Sequence, residues 1–231
     1  DELPRAFNPP EGYVVTANNA VVGPDYPYFL SMDWEAGYRA QRIVELIEAG
    51  FSLSVADMQA IHGDSSPVYA QEILPYLLAL SPSDPRLAEA LDLLRAWDGR
   101  AARDSAGAAL FEAFSLHLVD LTFGDELGAQ LLDRARSTAM VALVDLLADE
   151  ATPWFDDVTT PKVETRDEVL LRALEEAVEE LTETLSADMA RWRWGDLHTA
   201  TFENQSLGQS GIGLVEAIFN RGPVPVDGSS R

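Results

Sequence analysis

From Asp33 onward the apolar residues recur at the three- and four-residue spacing of amphipathic helices, and capping signals punctuate the pattern. A chain written this way is expected to be mainly α, with a few strands at its ends. Ser54-Val55-Ala56-Asp57 offers an N-cap with an acid three residues on. Ser66-Pro67 and Asp84-Pro85 each set a capping side chain before a proline suited to the first helical position. Three helices are expected to begin there. Leu87, Leu91 and Leu94 share one face, and Trp97-Asp98-Gly99 supplies a glycine stop. Pro75 falls inside the preceding helix, where its ring displaces the Gln71 carbonyl, so a kink is expected. Phe111, Phe114, Leu118 and Leu121 form one further core stripe, and Leu127, Leu131, Leu143 and Leu147 another. Thr165-Arg166-Asp167-Glu168 reads as a capping box. It opens a helix with Leu170, Leu174, Leu181 and Leu185 inward and Glu175, Glu176, Glu179, Glu180 and Glu183 outward.

Two different segments flank this helical region, which we take as residues 33–190. In residues 1–32, Gly12 to Ala17 is rich in β-branched and aromatic residues and ends at Asn18-Asn19, the pattern of a strand running into a turn. Residues 191–231 are glycine-rich and expected to be irregular or partly β. We read 1–231 as one piece of a single domain. A chain of 231 residues, 47% hydrophobic, can bury a sizeable core. No run of eighteen apolar residues and no basic, apolar leader is present, so neither a membrane span nor a signal peptide is expected. A net charge of −23 and a single lysine, Lys162, argue against nucleic acid as a partner. The absence of cysteine removes disulfides, thiolate catalysis and cysteine-bound zinc. The chain opens without methionine and closes in a turn-rich run from Pro223 to Arg231, which leads us to expect a piece of a longer polypeptide.

Residues able to do chemistry are scattered. His62, His117 and His198 lie far apart and lack metal-ligand spacing. Gly208-Gln209-Ser210-Gly211-Ile212 approaches a nucleophile elbow but has Ile where the last glycine belongs. Gly208, Gly211 and Gly213 are not followed by the Gly-Lys-Ser/Thr of a phosphate loop. The glutamates between Glu168 and Glu183 fit a solvated helix face. On physics alone, Asn18-Asn19 is turn chemistry. Arg39 would then form an i,i+4 pair with Glu35 worth about 0.3–0.5 kcal/mol.

Taken together, however, several motifs resemble one family. They are Asn8-Pro9-Pro10-Glu11-Gly12-Tyr13-Val14-Val15-Thr16-Ala17-Asn18-Asn19, Asp25-Tyr26-Pro27, Trp34, and Tyr38-Arg39-Ala40-Gln41-Arg42-Ile43. Further matches are Asp57-Met58-Gln59, Asp64, Trp97-Asp98-Gly99, Ser105 and Trp192-Arg193-Trp194-Gly195-Asp196-Leu197-His198. In order and spacing they resemble the β chain of penicillin acylases and of the related acyl-homoserine-lactone and lipopeptide acylases. The resemblance implies part of the four-layer αββα fold of N-terminal-nucleophile hydrolases. It implies a precursor that cuts itself into α and β chains, and hydrolysis of a linear amide in an acylated small molecule. The attacking serine would lie at the β-chain N-terminus, upstream of this chain, so the chain alone is expected to be inactive. The asparagine matching Asn18 would stabilise the oxyanion, and the arginine matching Arg39 would hold it. The implied partners are the α subunit and the rest of the β chain, and the implied location is periplasmic or extracellular. No cofactor is implied for the chemistry. A structural calcium occurs in several members, but its ligand position falls near Tyr28-Phe29-Leu30, where no ligand can be assigned. The competing expectation is a non-catalytic, acidic helical module that binds a partner through Trp192-Arg193-Trp194 or an apolar groove.

Overall fold

In the computed structural model, residues 2–50 and 52–229 are described, with Ser137 described by its backbone alone. The chain divides into two compact units, residues 1–64 and 65–231. The first unit holds α1 (Tyr38–Glu48) and α2 (Val55–His62). The second holds α3 (Tyr69–Leu78), α4 (Pro85–Ala96), α5 (Ala106–Leu147), α6 (Arg166–Thr184), β1 (Thr199–Phe202), α7 (Gly213–Phe219) and β2 (Arg221–Pro225). Among the described residues the fold is mainly helical with one small two-stranded sheet.

In the first unit, α2 starts where its cap demands. Ser54 Oγ accepts from the Asp57 backbone N–H at 3.3 Å, and Asp57 Oδ2 accepts from the Ser54 N–H at 2.7 Å. The Ser54 backbone N–H and then its hydroxyl, both donating to Asp57 Oδ2, hold the Asp57 carboxyl below the usual carboxylate range. The strand expected over Gly12 to Ala17 is not formed. A turn closes with the Gly12 N–H donating to Pro9 O at 3.0 Å, residues 13–16 run open, and the chain bends over 17–19. A strand exists only as one side of a hydrogen-bonded ladder, and these residues meet no such partner among the described residues.

The second unit is built on α5 and α6, with α3 and α4 packed against both. Asp84 caps α4 by accepting from the Arg86 N–H at 2.7 Å, and Leu87, Leu91 and Leu94 of that helix are buried. The expected start of α3 at Ser66-Pro67 moves to Tyr69. The N–H groups of Ala70 and Gln71 donate three residues back, to Pro67 O and Val68 O, so a tight turn precedes the α-helix and Val68 takes the cap position. Thr165 and Glu168 make the capping box of α6. Arg166, the first residue of that helix, donates to Leu147 O at the end of α5 at 3.0 Å and lies over the Tyr76 ring at 5.2 Å.

α5 is 42 residues long, but Gly128 inside it has φ 66° and ψ 161°. Residues 16 apart on a straight helix are separated by about 24 Å along the axis. Arg136 Nη2 nevertheless donates to Asp120 Oδ2 at 2.9 Å, so α5 doubles back at Gly128 as two limbs. The bend shifts the buried position next to it, while Leu143 and Leu147 further on are buried as expected. Leu131, expected in the core, is 56% exposed, and Leu132 takes the buried position at 6%. Residues 106–136 are apolar and long enough to cross a membrane by composition. The most apolar stretch is 72% buried, and the bend at Gly128 interrupts the helix, which marks a core element.

Beyond α6, Trp192 is buried and its Nε1–H donates to Ser186 O at 2.7 Å, while Trp194 Nε1–H donates to Gly228 O at 2.7 Å. Between them and the chain end, β1 and β2 pair antiparallel, Thr199 opposite Pro225, with an irregularity after Ala200. The seven-residue α7 joins them where irregular or β structure was expected. Seven residues cover two turns, too few for a helical period to stand out.

Candidate active site

Asn18 sits with φ 62°, in the left-handed region that asparagine tolerates better than other side chains. The turn is closed by its neighbour. Asn19 Oδ1 accepts from the Ala17 N–H at 3.0 Å, and Asn19 Nδ2 donates to Ala20 O at 3.1 Å. The turn therefore occupies the Asn19 side chain and leaves that of Asn18 for another task. Asn18 Oδ1 accepts from Arg39 Nη2 at 2.8 Å, and the same guanidinium nitrogen donates to Ala17 O at 3.0 Å. The Glu35 N–H donates to Asn18 O at 2.9 Å, which pins the backbone as well.

An arginine can only donate, so its bond fixes which end of the Asn18 amide faces it. The other end, Nδ2 with two N–H donors, meets no protein acceptor among the described residues. A guanidinium drawing on the carbonyl oxygen polarises the amide and strengthens those donors. The arrangement leaves an amide donor able to meet an incoming acceptor without changing its own protonation.

Arg39 lies in the first turn of α1, whose cap residue Gly37 offers no side-chain bond. The expected pair with Glu35 does not form. Glu35 precedes the helix, so the i,i+4 geometry does not apply to it. Two further contacts around α1 have no local signal in the sequence. Arg42 donates through Nε to Asp64 Oδ1 and through Nη2 to Asp64 Oδ2, both at 2.9 Å, and reaches Glu45 Oε2 at 3.2 Å. The bonds to Asp64 hold the Arg42 guanidinium charged more firmly than usual. At the far end of α1, Tyr13 Oη donates to Glu48 Oε1 at 2.5 Å, and that bond to a carboxylate raises the Tyr13 phenol. Arg42 and Asp64 both belong to the motifs that carry the family resemblance, but their separation of 22 residues hides the pairing.

His117, His198, Ser210 and Gly208 have structural roles. His117 Nε2 lies 2.7 Å from Glu180 Oε2 and Nδ1 3.3 Å from Glu176 Oε2, joining α5 to α6. His198 stacks on Trp194 at 4.8 Å between ring centroids, and its Nδ1 is 3.2 Å from Val226 O. His62 ends α2. Ser210 Oγ accepts from the Ile212 N–H at 3.2 Å within an exposed turn. A side chain at Gly208 would run into Asn204 O and the Asn220 side chain, which explains that glycine without a phosphate. Among the described residues no group of three or more histidines and carboxylates is placed to hold a metal ion. Tyr28-Phe29-Leu30 offers no side-chain carboxylate, and no calcium ligand is assigned there.

Comparison with known proteins decides the family, because the model described as Penicillin amidase matches residues 1–231. The chain belongs to the penicillin amidase family. Family members similar to it include an acyl-homoserine lactone acylase QuiP of Pseudomonas aeruginosa, 29% identical over 97% of this chain and 30% of its own length. A second QuiP, from Pseudomonas fluorescens, is 32% identical over 93% of this chain and 29% of its own length. The penicillin acylase 2 proenzyme of a Pseudomonas species is 31% identical over 87% of this chain and 26% of its own length. The chain thus spans less than a third of the length of these curated relatives. Among solved structures, penicillin G acylase of Alcaligenes faecalis superposes with a TM-score of 0.59 at 22% identity. That superposition covers 81% of this chain and 39% of the acylase chain, and it shows a shared fold.

Proposed function

We propose that this penicillin amidase family chain is part of an acylase that hydrolyses the linear amide of an acylated small molecule. The substrate class is a β-lactam, an N-acyl-homoserine lactone or a lipopeptide. Asn18 donates its Nδ2–H to the oxyanion of the tetrahedral intermediate, and Arg39 holds and polarises Asn18. The nucleophile is a serine at the N-terminus of a β chain, lying outside these residues and using its own α-amino group as base. The acyl group passes to that serine, the amine leaves, and water releases the acid. The α subunit and the rest of the β chain come from the same precursor.

The observation that carries this reading is the 2.8 Å bond from Arg39 Nη2 to Asn18 Oδ1, which directs the amide donors away from the protein's own acceptors. A turn asparagine would use its side chain locally, as Asn19 does. The test is release of free amine by the full-length enzyme from a penicillin, an N-acyl-homoserine lactone and a lipopeptide. Release from at least one, with the acyl group recovered as free acid, is expected. Release from none of the three sinks the proposal.

A further inference from the structure

The bond between Arg39 and Asn18 is solvent-exposed, and α1 begins without a side-chain cap. An exposed contact of one guanidinium nitrogen is too weak to hold a donor by itself. Oxyanion donors act only when kept within about 0.5 Å of their working position. Something else must set where α1 presents Arg39. Two restraints tie α1 back to the segment that carries Asn18. Arg39 bonds residues 17 and 18 at one end of the helix, and Glu48 bonds Tyr13 at the other. The Arg39–Asn18 and Tyr13–Glu48 bonds are both exposed, so they hold the helix weakly.

The third restraint is of a different kind. Arg42 stands one turn beyond Arg39, three residues on, where side chains are neighbours on the helix surface. Its guanidinium meets Asp64, just past α2, through two parallel bonds of 2.9 Å, with the side chains only 28% and 16% exposed. A bidentate arginine–carboxylate pair fixes orientation as well as distance. It locks the roll of α1 against the end of α2, and with it the direction from which Arg39 reaches Asn18.

We propose that Arg42 and Asp64 are positioning residues for the oxyanion site: their forked pair sets the Arg39 guanidinium on Asn18. This rests on the oxyanion reading of Asn18 and Arg39. Neither Arg42 nor Asp64 touches the reacting atoms, so neither is a catalytic residue.

The test uses the matured full-length enzyme and the p-nitroanilides of phenylacetic and octanoic acid, with kcat and KM measured on whichever is turned over. Arg42→Met keeps the aliphatic stem and removes the fork. It is expected to lower kcat about tenfold with KM changed less than twofold, and Asp64→Asn is expected to do the same to a smaller extent. Arg42→Lys, a point charge in place of a fork, is expected to restore only part of the rate. In an Arg39→Ala background, Arg42→Met is expected to have no further effect on kcat, since the group it positions is gone. Equal fractional losses in both backgrounds would overturn the proposal, as would an unchanged kcat with a lower melting temperature. Failure of both Arg42→Met and Arg42→Lys to yield folded enzyme would also overturn it, because the pair would then serve stability. If Asn18→Gly and Arg39→Ala themselves leave kcat intact, the oxyanion reading falls, and the positioning proposal falls with it. If those two slow the enzyme and Arg42→Met does not, only the positioning proposal falls.

Discussion

Replacing Asn18 by glycine removes the side-chain amide without straining the backbone, because glycine adopts a φ of 62° freely. Alanine at the same place loses the same amide and must also bear the left-handed conformation, at about 1–2 kcal/mol. The lost bond from Arg39 is exposed and adds no more than about 1 kcal/mol to either variant. Stability should therefore fall by about 1–3 kcal/mol in Asn18→Ala and by under about 1 kcal/mol in Asn18→Gly. Catalysis should treat the two alike. Deleting one oxyanion donor costs about 10²–10³ in kcat, or roughly 2.7–4 kcal/mol of transition-state stabilisation, while KM moves little. Asn18→Asp keeps an acceptor for Arg39 but sets a negative charge where the oxyanion forms, so it should be the slowest of the three. Asn19→Ala breaks the bond from the Ala17 N–H, costs about 0.5–1.5 kcal/mol of stability, and should leave kcat within twofold. The assay is steady-state release of p-nitroaniline by matured full-length enzyme, alongside thermal melts. If Asn18→Gly stays within tenfold of the parent kcat while Asn18→Ala only melts earlier, Asn18 is a turn residue and the oxyanion role is refuted.

Three further outcomes follow from the helical unit. Gly128→Ala places a side chain at φ 66° and ψ 161°, a region that essentially only glycine occupies, and should destabilise by about 1–3 kcal/mol in urea melts. Arg166→Ala removes a charged bond to Leu147 O and the stacking over Tyr76, and should cost about 2–4 kcal/mol in the same assay, with lysine recovering part of it. Burial of its carboxyl, followed by the hydrogen bond with Asp125, pushes the Glu126 acid up to about 7 from the usual 4.5. The folded state thus holds this proton where the unfolded chain has lost it, so stability should decline as pH rises from about 4.5 to about 7. The residue as a whole is exposed, which makes the slope shallow. Glu126→Gln should flatten it, and an unchanged slope in melts from about pH 4.5 to about pH 8 would contradict the assignment.

Features decided within four residues were legible in the sequence. Ser54, Asp84 and Thr165 cap helices where their side chains reach the first-turn N–H groups, and such bonds need nothing distant. The start expected at Ser66-Pro67 moved because a tight turn through Val68 precedes the α-helix. Of the stripe expected through Leu131, Leu143 and Leu147, only the position beside the bend at Gly128 shifted, to Leu132, while Leu143 and Leu147 are buried as expected. Non-local pairings were hidden. A strand at Gly12 to Ala17 depends on neighbours, and the Arg42–Asp64 fork joins residues 22 apart with no periodic trace. The Asn18 and Arg39 contact was equally invisible to spacing, and only the likeness to a known family brought those two residues forward.

By doubling back at Gly128, α5 turns a long helix into a local hairpin whose limbs meet through residues 16 apart in sequence. Loops of this size close on a timescale of about 10–100 ns, far faster than contacts across the whole chain can form. The two limbs can therefore find one another early, before α6 arrives. On this view α5 and its bend form the nucleus on which the helical unit condenses, and Gly128→Ala should slow refolding as well as lower stability.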